Sequence, residues 1–183
     1  WGVSFHNYFE PFDIPVRIEH SKNGNLGHHF VEVIEDLEQD FHKLKKSRFG
    51  TDMEGFQAEK DFYQDLFGDL LPVKTEPGCL YAVPTQHIVH IMSMENMLFS
   101  IYDYPELFHK MMDMITDDYL DYFRFLEENR LLLPTVKGEG LAQGTRDFTT
   151  DLPGWKEYEK RPFTTKDIWG FMDSQETTGM SPE

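Results

Sequence analysis

Cysteine is almost missing from these 183 residues. Cys79 stands alone, which excludes an intrachain disulfide and any cysteine-rich metal knuckle within the sequence. No base partner is evident beside it, so it reads as inert. Long apolar runs are missing too: nothing approaches the ~18–20 residues that span a bilayer. Cations are scarce, with 17 Lys and Arg against 33 Asp and Glu, a formal net charge of −16. Nucleic acid and anionic membrane surfaces are therefore poor partners, because phosphate binding needs clustered Lys and Arg. The one short basic run holds Lys43, Lys45, Lys46 and Arg48. It reads as a solvated helix end, with cations near a helix C-terminus. The same scarcity weighs against a polyanionic ligand unless residues outside this chain supply a basic pocket. The expected location is cytoplasmic.

What the chain has in quantity is aromatic area. Hydrophobic residues make up 39%, but 16 Phe, 8 Tyr and 3 Trp carry large apolar surfaces, which argues against disorder. Residues 1–20 read as an extended, Pro-punctuated segment with a strand at "PVRIEH", and "KNGNLG" as a turn. Phe30, Ile34, Leu37, Phe41 and Leu44 recur at three- and four-residue spacing, which predicts an amphipathic helix across "HHFVEVIEDLEQDFHKLKK". A second, weaker helix is predicted from "TDMEGFQAEKDFYQDLFGD", closed by Gly68. "LLPVKTEP", "CLYAV", "LLLPTV" and "DIWGFM" read as strands. The best helical pattern is "YPELFHKMMDMITDDYLDYFRFLEEN", with Pro105 at its start and Asn129 at its end. Its stripe is Leu107, Met111, Met114, Ile115, Tyr119, Tyr122, Phe123 and Leu126. Helices alternating with short, continuously apolar strands predict βα units on a parallel sheet, a single α/β domain over residues 1–183.

Chemistry-bearing residues are few. His87 and His90 fall three apart at the opening of a predicted helix, on one face. That suits a metal pair, yet no Glu lies between them at the metalloprotease position and no third ligand is near. The better reading places one imidazole in a ligand cleft and makes the other a hydrogen-bonded structural histidine. "KGEGLAQGT" offers Gly138, Gly140 and Gly144, but lacks both the dinucleotide fingerprint and a P-loop ending, so it reads as a strand-end turn. "MDSQE" carries Asp173, Ser174, Gln175 and Glu176 just past a strand, where a parallel sheet faces its ligand crevice. A helix-capping loop would explain it equally well. The methionines of "MENMLFSIYDY" and "KMMDMI" read as core filler, and His28–His29, beside Gly27, as part of a solvated turn. Ser181, Pro182 and Glu183 together form a helix start signal.

Three segments in order carry a likeness: "YDYPELFHKMMD", "LLLPTVKGEGLAQGTRDFTTDLPG" and "DIWGFMDSQETTGMSPE". Together the chain resembles the uroporphyrinogen decarboxylase superfamily, (β/α)8 barrels that include the haem-pathway decarboxylase and corrinoid-linked methyltransferases. The resemblance runs from about Leu80 to Glu183 and is faint before it. It implies a partial (β/α)8 TIM barrel, an interior piece of a longer chain with further βα units after "SPE". A full barrel usually takes ~250 residues. The resemblance also implies a small-molecule substrate bound at the C-terminal ends of the strands and no cofactor for decarboxylation.

The family's site residues carry over one at a time. The decarboxylase places a Ser or Thr after an acidic residue at the end of a mid-barrel strand, near a substrate carboxylate, and Asp173–Ser174 matches. The position of its tyrosine, counted from Pro84, is His90 here, which can donate a similar hydrogen bond but differs in charge and reach. Catalytic roles are thus expected of Ser174, His90 and Asp173, and ligand-binding roles of His87, Gln175 and Glu176. The family's central aspartate, N-terminal arginines and late histidine find no match. A methyltransferase reading requires zinc, a corrinoid and a corrinoid protein as partner, with zinc ligands beyond Glu183. A third reading is a non-catalytic binding or scaffold half-barrel. A homo-oligomer is compatible with all three.

Overall fold

Helices, not sheets, carry this structure. The computed structural model describes residues 1–20, 27–78, 80–136 and 151–180. The architecture is mixed α/β, and the described strands pair only two by two. β1 (Gly2–Val3) runs parallel to β6 (Lys74–Thr75), and β3 (Ile18–His20) antiparallel to β4 (His28–Phe30). β2 (Asn7–Glu10) pairs with β5 (Arg48–Thr51), and β7 (Leu80–Ala82) with β8 (Gly170–Met172). Two-stranded pairs are marginal alone, so helix packing must supply most of the stability.

The chain divides into two compact units. One comprises Trp1–Tyr8, Phe49–Tyr81 and Asp121–Phe171; the other comprises Phe9–Arg48, Ala82–Leu120 and Met172–Glu183. In the first, α2 (Met53–Phe67) begins where Asp52 accepts a hydrogen bond from the Gly55 N–H at 2.8 Å, a side-chain N-cap. It ends at Gly68, as its sequence predicts. The Phe56 ring is buried and packs on Phe5 with centroids 4.9 Å apart. Asp167 is clamped by both Arg161 terminal nitrogens at 2.7 and 2.6 Å and by the Thr164 N–H, which holds its carboxyl well below the usual range.

The second unit holds α3 (Pro84–Asp103) and most of α4 (Pro105–Glu128). Proline opens each helix, where its missing N–H costs nothing. Along α4 the buried residues are Phe108, Met111, Ile115, Tyr119, Tyr122 and Leu126, spaced three or four apart. The predicted stripe is there, with Phe108 added and Leu107, Met114 and Phe123 only half-buried. Asn129 closes the helix by donating from Nδ2 to the Phe125 carbonyl at 2.8 Å, and Arg130 follows at φ 56°. No helix among the described residues is long and apolar enough to cross a membrane.

Several expectations need correcting. The helix predicted over residues 28–46 is instead β4, an irregular run, a one-turn helix α1 (Leu37–Asp40) and a 3-10 turn over Phe41–Lys43. β-Branched Val31, Val33 and Ile34 favour extended backbone. The Val33 and Ile34 N–H groups both donate to the Ile91 carbonyl, and Asp36 caps α1 through the Gln39 N–H. Ile34, Leu37 and Leu44 are buried nonetheless, by a chain that is not helical. His28 and His29 lie in β4, exposed, and not in a turn. The basic run is a helix end only in part: Lys43 stands in the last turn of the 3-10 segment and pairs with Asp40, while Arg48 sits in β5 and pairs with Glu10 and Asp13. "LLLPTV" is buried but has no strand pairing among the described residues, in keeping with Pro134, which has no N–H to donate. The loop around "LPGWKEYEKRP" contains a short helix, α5 (Trp155–Tyr158). Cys79, the turn at "KNGN", Gly138, Gly140, Gly144 and the helix start at Ser181 lie outside the described residues.

Candidate functional site

Four of the six residues expected at the site sit on one strand exit. β8 ends at Met172, and the Asp173 N–H donates to the Ala82 carbonyl at 3.1 Å, extending the backbone contact by one step. Ser174 then opens a 3-10 turn over Gln175–Thr177. The Ser174 carbonyl accepts from both the Thr177 N–H (3.0 Å) and the Thr177 hydroxyl (2.9 Å), which fixes the turn without using the Ser174 side chain. Ser174 and Gln175 are exposed; Asp173 and Glu176 are half-buried.

The turn delivers Glu176 to the start of α3. Thr85, in the first helical turn and only 2% exposed, donates its hydroxyl proton to Glu176 Oε2 at 2.6 Å. That length is typical of a hydroxyl bonded to an ionised carboxylate. A carboxylate at a helix N-terminus also complements the positive end of the helix dipole. The helix start is further fixed by the Val83 N–H, which donates to the Tyr119 hydroxyl of α4 at 3.1 Å.

One turn along, α3 presents the two histidines in different settings. His87 is packed among aromatic rings: Phe9 at 5.8 Å and Tyr119 at 6.2 Å, themselves stacked on each other at 4.3 Å. Burial, aided by nearby His90, pushes the imidazole pKa down to about 4, so His87 is neutral at physiological pH. His90 stacks on Phe30 of β4 with centroids 4.0 Å apart. Its pKa is also lowered, chiefly by burial and further by His28, while the Glu176 carboxylate pulls the other way. His90 therefore offers a neutral imidazole, able to donate from one nitrogen and accept at the other, beside a carboxylate.

The structure thus brings together His90, Glu176 and, one turn away, His87. Asp173, Ser174 and Gln175 share the turn that carries Glu176. Sequence reading missed Thr85, Phe30 and His28. Thr85 sits in the same "PTQHIVH" stretch as the histidines, and helical numbering places it in the exposed first turn. Phe30 and His28 were masked by the mistaken helix. Among the described residues no three His, Cys, Asp or Glu side chains are grouped to hold a metal ion, so none of these residues is assigned to zinc. What the set can do is hydrogen-bond an acid or amide and offer an imidazole as a proton donor or acceptor. Compared with models of known protein families, with curated proteins and with solved structures, the chain matches none.

Proposed function

We propose that this protein is a uroporphyrinogen decarboxylase-like enzyme, built on a partial (β/α)8 barrel and acting in the cytoplasm on a tetrapyrrole or related ligand. The observation that carries the reading is the hydrogen bond from Thr85 to Glu176. It joins the strand-exit loop "MDSQE" to the first turn of α3, the helix that bears His90, and the resemblance independently puts site residues on both that loop and that helix. In such a reaction a ring carbon of the substrate gains a proton, the C–COO⁻ bond breaks, its electron pair returns to the ring and carbon dioxide leaves. Ser174 would hold the departing carboxylate until it goes, and His90 would donate a hydrogen bond to it or carry the proton. Glu176 would keep the imidazole oriented, and the ring nitrogens of the cationic intermediate would need a carboxylate such as Asp173.

The test is decarboxylation of a porphyrinogen octacarboxylate by the full-length protein, with product carboxyl groups counted after oxidation to porphyrins. Ser174→Ala and His90→Gln are each expected to lower turnover at least tenfold while leaving the melting temperature within a degree or two of wild type. Ser174 is exposed and gives no side-chain cap, so its loss should not unfold the loop. A wild-type protein that releases no carbon dioxide, or variants as active as wild type, would overturn the reading.

A further inference from the structure

The β3–β4 ribbon, in the unit that holds α3, carries an imidazole pair that the chemistry around His90 leaves unused. The strands run antiparallel, with Ile18 opposite Phe30, Glu19 opposite His29 and His20 opposite His28. Residues directly opposite each other share a face, and successive residues along a strand alternate between faces. Ile18, His20, His28 and Phe30 therefore lie on one face of the ribbon, and Glu19 and His29 on the other. Just beyond the ribbon the Val31 N–H donates to the Arg17 carbonyl at 2.9 Å, so these two residues form a hydrogen-bonded pair. The two kinds of pair alternate along an antiparallel ladder. Counting inward by this rule, His20 and His28 fall at a non-hydrogen-bonded pair, the closer kind, with Cα atoms about 4.5 Å apart. Both histidines are exposed. The His28 ring meets Phe30 edge-on at 5.2 Å, and Phe30 stacks on His90 of α3 at 4.0 Å, so His28 is braced by ordered rings.

We infer that His20 and His28 together hold one copper(II) ion. Side chains at such a pair leave Cβ atoms about 4.5–5.5 Å apart, close enough for two imidazoles to turn toward one ion. Imidazole suits copper, nickel and zinc, and copper(II) heads the affinity order among divalent ions of this row. Calcium and magnesium want oxygen donors and find none in this pair. Among the described residues no third His, Cys, Asp or Glu joins the pair in a metal-holding group, so water fills the other copper positions and the site is open. A net charge of −16 raises the concentration of any cation around the chain. The pair takes no ligand from Ser174, Glu176 or His90, so it stands apart from the proposed decarboxylase chemistry.

The probe is copper(II) alone, titrated into the full-length protein by calorimetry, with paramagnetic resonance of the bound ion reporting its nitrogen ligands. Losing either of two linked ligands forfeits the gain in effective concentration, so His20→Ala and His28→Ala are each expected to weaken the site about tenfold or more. Each should also leave one imidazole signal where wild type shows two. His29→Ala, on the opposite face of the same ribbon, should bind as wild type does. His28→Phe keeps a ring beside Phe30 and should lose copper as His28→Ala does, which separates a lost ligand from a loosened ribbon. The inference is overturned if either His20→Ala or His28→Phe binds copper as tightly as wild type, or if His29→Ala weakens it equally.

Discussion

α3 and α4 meet at a single residue, Tyr104, and are built by opposite rules. α4 is a regular amphipathic helix whose buried residues repeat without a break from Phe108 to Leu126. α3 is broken in the middle. Ser93 sits at φ 62°, ψ 163°, a conformation that L residues almost never adopt. The Ile91 carbonyl, two residues before the break, accepts from the Val33 and Ile34 N–H groups outside the helix at 2.7 and 3.0 Å. The ladder then restarts, with the Asn96 N–H reaching the Ser93 hydroxyl at 3.4 Å and Asn96 Nδ2 donating to Glu32 at 2.8 Å. The difference has a consequence for chemistry. The broken helix takes its backbone partners from the segment that follows β4, and β4 supplies Phe30, the ring on which His90 stacks. Regularity provides packing in α4, and irregularity provides the juxtaposition in α3.

The largest expected effect tests the packing half of that contrast. Ile115 is fully buried on the α4 stripe, and Thr116 beside it is exposed. Ile115→Ala should cost about 2–5 kcal/mol by urea denaturation, through lost burial and the cavity left behind. Thr116→Ala should stay within about 0.5 kcal/mol of wild type. Equal effects would show that the stripe is not what holds α4.

Next in size is a contrast in pH. His87 of α3 has its pKa pushed down to about 4, while burial pushes the Tyr122 phenol of α4 up to about 12. For His87 the unfolded chain binds the extra proton first, so stability is full above about pH 6.5 and falls as pH drops towards 4. The loss amounts to roughly 2–3 kcal/mol. For Tyr122 the folded chain keeps its proton longer, so stability falls as pH rises from about 10 towards 12. Denaturation curves across both windows should flatten at the acid end in His87→Gln and at the alkaline end in Tyr122→Phe. An acid limb of the same depth in His87→Gln would assign it to other groups.

The same contrast explains what could be read from sequence. α4 was legible because its apolar residues follow one period for six turns, with Pro105 and Asn129 marking its ends. α2 was legible from its weaker helical pattern and from Gly68 at its end. The segment from His28 to Lys46 was misread because Ile34, Leu37 and Leu44 are buried at helical spacing without a helix; tertiary bonds to the Ile91 carbonyl replaced the local ladder. The strand-exit loop with Glu176 and the histidine pair were visible as types and spacings. Their meeting was not, because it depends on the Thr85–Glu176 bond between distant segments, and the seat of Phe30 beside His90 goes with a break at Ser93 that no local signal announces. Nothing in a serine says that its φ will be positive.

The smallest effect is the sharpest test of the break itself. At an ordinary exposed helix position such as Asp113 of α4, glycine should be about 1 kcal/mol less stable than alanine, since glycine has more backbone freedom to lose. At Ser93 the order should invert. Both replacements remove the hydroxyl that caps the second half of α3, so the cap cancels in the comparison. Only glycine adopts φ 62°, ψ 163° without strain, and strain of this kind costs of order 1–3 kcal/mol in a residue with a Cβ. After the entropic penalty of glycine is subtracted, Ser93→Gly should exceed Ser93→Ala by about 1 kcal/mol. If glycine instead falls below alanine at Ser93, as expected at Asp113, then α3 runs unbroken through residue 93. The Ile91 carbonyl would then be needed within the helix, and the placement of Phe30 against His90 would lose its support.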